Sequence, residues 1–98
     1  SVGVNFDTGN IDAYGGDSLE ILKQVLPKVE TIHVTDMARH GEFSPVLIGT
    51  GVTPNRECFH YLKEQGWDKW LCIEEASFGG LEGIKKAVEN TRRIWEEA

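Results

Sequence analysis

Three short segments of this chain alternate apolar and polar residues, and each ends in a residue type that binds metals. They are Val2-Gly-Val-Asn-Phe-Asp7, Thr31-Ile-His33-Val-Thr-Asp36 and Trp70-Leu-Cys-Ile-Glu74. Each leads through a loop into a helix-like stretch. The expected strands cover residues 2–7, 29–36 and 69–75. Val4 and Phe6, Ile32 and Val34, and Leu71 and Ile73 fall on one face; Asn5 and Asp7, Thr31 and His33, and Cys72 and Glu74 fall on the other. A parallel sheet covered by helices on both faces reads as continuous apolar runs. One apolar and one polar face is instead the barrel arrangement, with helices outside and polar residues at the strand tops facing a site.

The remaining sequence supports three strand–loop–helix units, at residues 1–28, 29–66 and 67–98. In the first, a Gly/Asn-rich loop (Gly9, Asn10, Gly15, Gly16) precedes a helix capped by Asp17 or Ser18. Leu19, Leu22, Val25 and Leu26 recur at helical spacing, and Pro27 ends the run. In the second, the connection 37–52 is long for a βα loop, which points to function. Thr53-Pro54 reads as an N-cap followed by a first-turn proline. Phe59 and Leu62 form the apolar stripe, with Cys58 and Tyr61 flanking it, and Gly66 is the stop. In the third, Gly79-Gly80 breaks the chain before a long helix whose buried face is expected at Leu81, Ile84, Val88, Thr91 and Trp95. Alternating strands and helices imply a parallel sheet with right-handed crossovers. The fold expected is α/β: three βα units of the C-terminal part of a (β/α)8 TIM barrel. Three units cannot close such a barrel, and open strand edges invite pairing. A homo-oligomer, or a missing N-terminal part of the barrel, is therefore expected to complete it. The chain opens on Ser1 and enters a strand at once, which implies a true start upstream.

Composition narrows the function classes. The chain has 98 residues, 40% hydrophobic and 27% charged, with a net charge of −6. That is an ordinary globular balance for one domain. Phosphate neutralisation needs clustered cations, whereas Lys85-Lys86 and Arg92-Arg93 are interleaved with Glu82, Glu89, Glu96 and Glu97. Nucleic acid is not an expected partner. No apolar run approaches the roughly 20 residues of a membrane span, and no charged-then-apolar leader opens the sequence. Cys58 and Cys72 make no disulfide framework and read as free thiols of a cytoplasmic protein.

Asp7, His33 and Glu74 share the inward parity at three strand tops and would converge on the barrel axis. Two carboxylates and an imidazole suit Mn²⁺, Mg²⁺, Co²⁺ or Zn²⁺. Taken singly, each has a plain structural reading: a strand-end Asp caps or turns, a His satisfies itself in the core, a Glu is solvated. Their coincidence is what points to a metal. Cys72 shares Glu74's face but lies two residues deeper, so a thiolate ligand is not expected. Asp36 either orients a ligand or terminates its strand. Glu75 points away and pairs with a basic neighbour. Arg39, in the long loop, binds a substrate hydroxyl or phosphate or lies bare on the surface. Gly49-Thr50-Gly51 could let backbone amides cradle an anion, or make a tight turn.

The ordered set Val-Gly-Val-Asn-Phe-Asp7-Thr-Gly-Asn10, Ile-His33-Val-Thr-Asp36, Ile48-Gly-Thr-Gly51 and Gly66-Trp-Asp-Lys-Trp-Leu-Cys-Ile-Glu74-Glu resembles the sugar phosphate isomerase/epimerase family, the xylose-isomerase-like TIM barrels. The resemblance implies one divalent metal, often manganese, on a Glu, an Asp, a His and a second Glu. Asp7, His33 and Glu74 match the last three, and the first Glu would precede Ser1. It also implies that Glu74 acts as catalytic acid/base and that Arg39 contacts substrate. Asn10 stands where many members carry His; it can hydrogen-bond a sugar hydroxyl, and it argues against a trinuclear zinc site of the endonuclease-IV type. The activity implied is isomerisation or epimerisation of a sugar or sugar phosphate by proton abstraction next to a carbonyl. Alternatives are a related keto-sugar or inosose dehydratase, a metal-dependent phosphate-ester hydrolase, which would need more His/Asp ligands and a basic groove, and a non-catalytic, self-associating barrel fragment.

Overall fold

The architecture is three parallel strands in the order β1-β2-β3, backed on one side by helices. The structure is a computed structural model and describes residues 3–74 and 80–98. Glu75 and Gly79 lie outside the described residues. The strands are β1 (Val4–Asp7), β2 (Val29–Val34) and β3 (Trp70–Ile73). The helices are α1 (Thr8–Ala13), α2 (Ser18–Val25), α3 (Asn55–Glu64) and α4 (Gly80–Glu97).

Register turns the sequence parity into geometry. Phe6 pairs with Ile32 and Ile32 with Leu71, while Asp7 pairs with His33 and His33 with Cys72. In a parallel ladder, paired residues project to the same face. One face therefore carries Phe6, Ile32, Val34, Leu71 and Ile73, and it meets Leu22, Phe59, Leu62, Ala87 and Ile94 in the core. Each large core side chain contributes roughly 1.5–3 kcal/mol. The Phe59 and Trp95 rings, 5.4 Å apart at 59°, join α3 to α4. The other face, with Asn5, Asp7, Thr31, His33, Trp70 and Cys72, has no fully buried residue.

Four local expectations change. First, the Gly/Asn-rich segment after β1 is the helix α1. Thr-Gly-Asn-Ile-Asp-Ala has weak helix propensity, but Asp7 caps it by accepting the Asn10 N–H at 3.0 Å. Second, Asp17 caps α2 as one of the two expected residues; the run then passes into a 3-10 turn at Leu26–Lys28 instead of stopping at Pro27. Third, Pro54 is the N-cap of α3 and makes no side-chain bond. The Thr53 hydroxyl is spent elsewhere, donating to Asp12 Oδ2 at 2.9 Å and accepting the Met37 N–H at 3.1 Å. Gly66 does end the α3 region, in the left-handed conformation at φ 68°. Fourth, α4 buries Gly83, Ala87, Thr91 and Ile94, not the expected Leu81, Ile84 and Val88. Small residues let the helix approach the sheet closely, and Leu81 is left 67% exposed.

The long connection is a folded excursion. It starts after Val34, so Thr35 and Asp36 lie beyond the strand that was expected to include them. Met37 and Pro45 form an antiparallel bridge, and Ala38 N–H donates to Ser44 O at 2.8 Å. At its root, the buried Asp36 carboxylate accepts four backbone N–H groups. Oδ1 takes Met37 and Thr53, and Oδ2 takes Gly49 and Gly51, all at 2.9–3.0 Å. The glycines of Gly49-Thr50-Gly51 do cradle an anion, and the anion is this chain's own Asp36. A Cβ at Gly51 would stand 2.2 Å from Met37 O, so only glycine closes the cradle. Asp36 thus does more than end a strand: it organises the loop.

Candidate functional site

Asp7, His33 and Glu74 meet at the carboxyl ends of the three strands. One potential ligand atom from each lies within 4.8 Å of the others. Asp7 is the last residue of β1 and His33 the last but one of β2. Glu74 follows β3, where its N–H donates to Val34 O at 3.1 Å and extends the ladder. Strand parity does the rest, sending all three side chains to the polar face.

His33 Nδ1 and Glu74 Oε1 are 2.9 Å apart, and their side chains are 31% and 49% exposed. Asp7 Oδ1 accepts the Asn10 N–H and the Thr35 hydroxyl, at 3.0 and 2.7 Å. Asp7 therefore fills its structural role as a helix cap on one oxygen, while Oδ2 has no hydrogen bond among the described residues. Divalent ions of the harder transition series sit about 2.0–2.2 Å from carboxylate and imidazole atoms. Ligand atoms around one such ion are then about 3–4.4 Å apart, and the trio's separations of up to 4.8 Å lie close to that range. The donors, oxygen, nitrogen and oxygen, suit Mn²⁺, Mg²⁺, Co²⁺ or Zn²⁺. Cys72, in register with His33, is exposed and free.

The other expected residues are placed differently. Asn10 meets the site through its backbone N–H, with its side chain exposed. Arg39 is held within the long loop: its Nε donates to Glu42 Oε2 at 2.7 Å, and a second guanidinium nitrogen contacts the same oxygen. That pairing raises the Arg39 pKa and lowers that of Glu42, through the hydrogen bond first and charge attraction second. Thr35 had no role in the sequence reading, yet it touches Asp7 directly. Its signal lay only in its place two residues after His33. A second unforeseen pair is His40 and Asp12, 2.5 Å apart, which ties the loop tip to α1. A groove of about 570 Å³ among α2, α3 and the end of α4 includes none of the strand-end trio.

Residues 1–95 match the family described as the xylose isomerase-like TIM barrel. The chain belongs to this family. Among solved structures it is similar to a xylose isomerase domain protein from Planctomyces limnophilus, with 26% identity and a TM-score of 0.81. The likeness covers 97% of this chain and 38% of that one, so the chain spans well under half the length of that relative. No curated protein matches it. The three βα units are thus part of a xylose isomerase-like barrel, and the polar sheet face is the face that lines such a barrel. Among the described residues, no helix is long and apolar enough to cross a membrane.

Proposed function

We propose that this chain is the metal-holding part of a divalent-metal-dependent sugar or sugar-phosphate isomerase or epimerase. The observation that carries the reading is the convergence of Asp7, His33 and Glu74 within 4.8 Å at the strand ends of a xylose isomerase-like barrel.

Asp7, His33 and Glu74 would hold the ion, Mn²⁺ before Mg²⁺, Co²⁺ or Zn²⁺. When bound, the ion would polarise the sugar's carbonyl and neighbouring hydroxyl oxygens and stabilise the charge that develops on proton loss. Glu74 is the half-exposed member and the general base, taking the proton from the carbon next to the carbonyl. A second carboxylate, from a strand outside this chain, returns it. Return to the opposite face of the same carbon epimerises; return to the neighbouring carbon isomerises. Asn10 and Arg39 orient hydroxyl or phosphate groups, and Arg39 does so by exchanging Glu42 for substrate. The other barrel strands come from a second copy or from a further segment of the protein, which pairs with the outer edges of β1 and β3.

Native mass spectrometry of the 98-residue chain, with and without Mn²⁺, tests the site. One ion per chain is expected, lost in Asp7→Ala and His33→Ala. An ion-free parent, or an ion that survives both substitutions, overturns the reading. With the barrel complete, NMR in D₂O should show deuterium entering the carbon next to the carbonyl of a ketose or ketose phosphate. Dehydrated product in place of an isomer would move the assignment to a lyase.

A further inference from the structure

We infer that Thr35 is a positioning residue, whose hydroxyl fixes the Asp7 carboxylate in the one orientation that presents Oδ2 to a cation shared with His33 and Glu74. The inference rests on the metal-site reading above. Thr35 Oγ1 accepts the Gly9 N–H at 2.9 Å and stands 2.7 Å from Asp7 Oδ1. A hydroxyl has one proton. With the Gly9 N–H arriving as a donor, that proton goes to Asp7, and Oδ1 receives both it and the Asn10 N–H. Two donors on Oδ1 fix the rotation of the carboxylate and leave Oδ2 as the oxygen offered outward.

Thr35 is itself held from several sides. It is 5% exposed. Its N–H donates to Thr8 Oγ1 at 3.3 Å, and its carbonyl accepts from Thr8 Oγ1 at 3.2 Å and Asn55 Nδ2 at 2.8 Å. Gly9 completes the arrangement, since a Cβ there would lie 2.1 Å from Thr35 Oγ1. The ordered chain is therefore Gly9 N–H to Thr35 hydroxyl to Asp7 carboxylate, running from the first turn of α1 to the end of β1. Partners of this kind orient ligating carboxylates, and their loss costs about 10–100-fold in metal affinity.

The test measures free Mn²⁺ by electron paramagnetic resonance against the full 98-residue chain. Thr35→Val keeps the shape and removes the hydroxyl; Thr35→Ser keeps the hydroxyl. Thr53→Val removes a buried hydroxyl that serves Asp12 and Met37 and does not touch Asp7, so it lowers stability without touching the site. Thr35→Val is expected to weaken Mn²⁺ binding by about 10–100-fold, Thr35→Ser to restore it, and Thr53→Val to lower the melting temperature with affinity intact. If Thr35→Val fails to fold by circular dichroism, Thr35→Ala is judged by the same criterion. Parental affinity in a folded hydroxyl-deleted variant overturns the inference, as does an equal loss in Thr53→Val. A parent that binds no Mn²⁺ overturns the metal-site reading and this inference with it; that result is read on the parent alone and is distinct from a failure confined to Thr35.

Discussion

Asp36 stands three residues after His33 in sequence, yet its carboxylate is used in the opposite way to those of Asp7 and Glu74. Asp36 is 3% exposed, and its two oxygens receive four backbone N–H groups. Asp7 receives two donors on a single oxygen, and the half-exposed Glu74 shares one oxygen with the His33 imidazole. A carboxylate whose acceptor sites are filled by the backbone is a structural part. One that keeps an oxygen turned outward can still take a ligand. The difference is not in residue type but in how many donors the surrounding chain supplies.

The largest effect that distinguishes the two is the loss of Asp36. Asp36→Ala strands four buried or half-buried N–H groups, each costing about 1–3 kcal/mol if left unmet. Some will find water, so a net destabilisation on the order of 4 kcal/mol is expected by urea denaturation. For a chain of this size that is a large share of the roughly 5–10 kcal/mol that holds a domain together. A loss under about 1 kcal/mol would mean that the loop is held by its own bridge and apolar contacts, and the contrast with Asp7 would collapse.

The same contrast shows what the sequence could tell. Strand parity was legible because period two survives any tertiary context, and it placed Asp7, His33 and Glu74 correctly on one face. The Gly49-Thr50-Gly51 signal left a tight turn and an anion cradle both open, and the anion it does hold lies in the chain itself, thirteen residues back from Gly49, where no local pattern marks it. Helix α1 was hidden because its residues are poor helix formers, and capping and long-range hydrogen bonds override propensity there. On α4 the apolar stripe was read toward the described core. The expected Thr91 is buried, but beside it the helix packs through Gly83, Ala87 and Ile94, and leaves Leu81, Ile84 and Val88 outside. Thr35 was invisible for the opposite reason: a single threonine carries no periodicity, and its value arises only when Gly9 and Asp7 arrive beside it.

The two cysteines extend the comparison to the two faces of the sheet. Cys58 is buried in the apolar core, and burial, helped by the charges of Glu57 and Asp17, pushes its thiol up to about 12. Cys72 is exposed on the polar face. A thiol reagent at neutral pH should therefore label Cys72 in the native protein and reach Cys58 only on unfolding. The stability consequence has a definite sign. Because the folded value lies above the ordinary one of 9.0, folding favours the neutral thiol. That contribution is complete below pH 9 and is lost as pH rises from 9 toward 12. Cys58→Ala should flatten the alkaline fall in stability across that window; an unchanged slope would place the thiolate in a far better solvated environment than the core.

The smallest stability effect should come from the site itself, and its smallness is the point. Glu74→Gln replaces an acceptor that pairs with His33 where both side chains are substantially exposed. Exposed pairs of this kind are worth about 0–1 kcal/mol. Asp7→Asn keeps a good N-cap side chain for α1 and should cost no more than about 1 kcal/mol. Both variants should therefore melt close to the parent while binding Mn²⁺ far more weakly, because an amide supplies no charge to balance the cation. If either substitution unfolds the chain as Asp36→Ala does, the strand-end carboxylates are structural, and the distinction drawn between filled and open oxygens is wrong. If both leave stability and Mn²⁺ binding untouched, the trio is an ordinary solvated cluster. Only retained stability joined to lost affinity fits a fold that builds its frame from Asp36 and keeps Asp7 and Glu74 in reserve for a ligand.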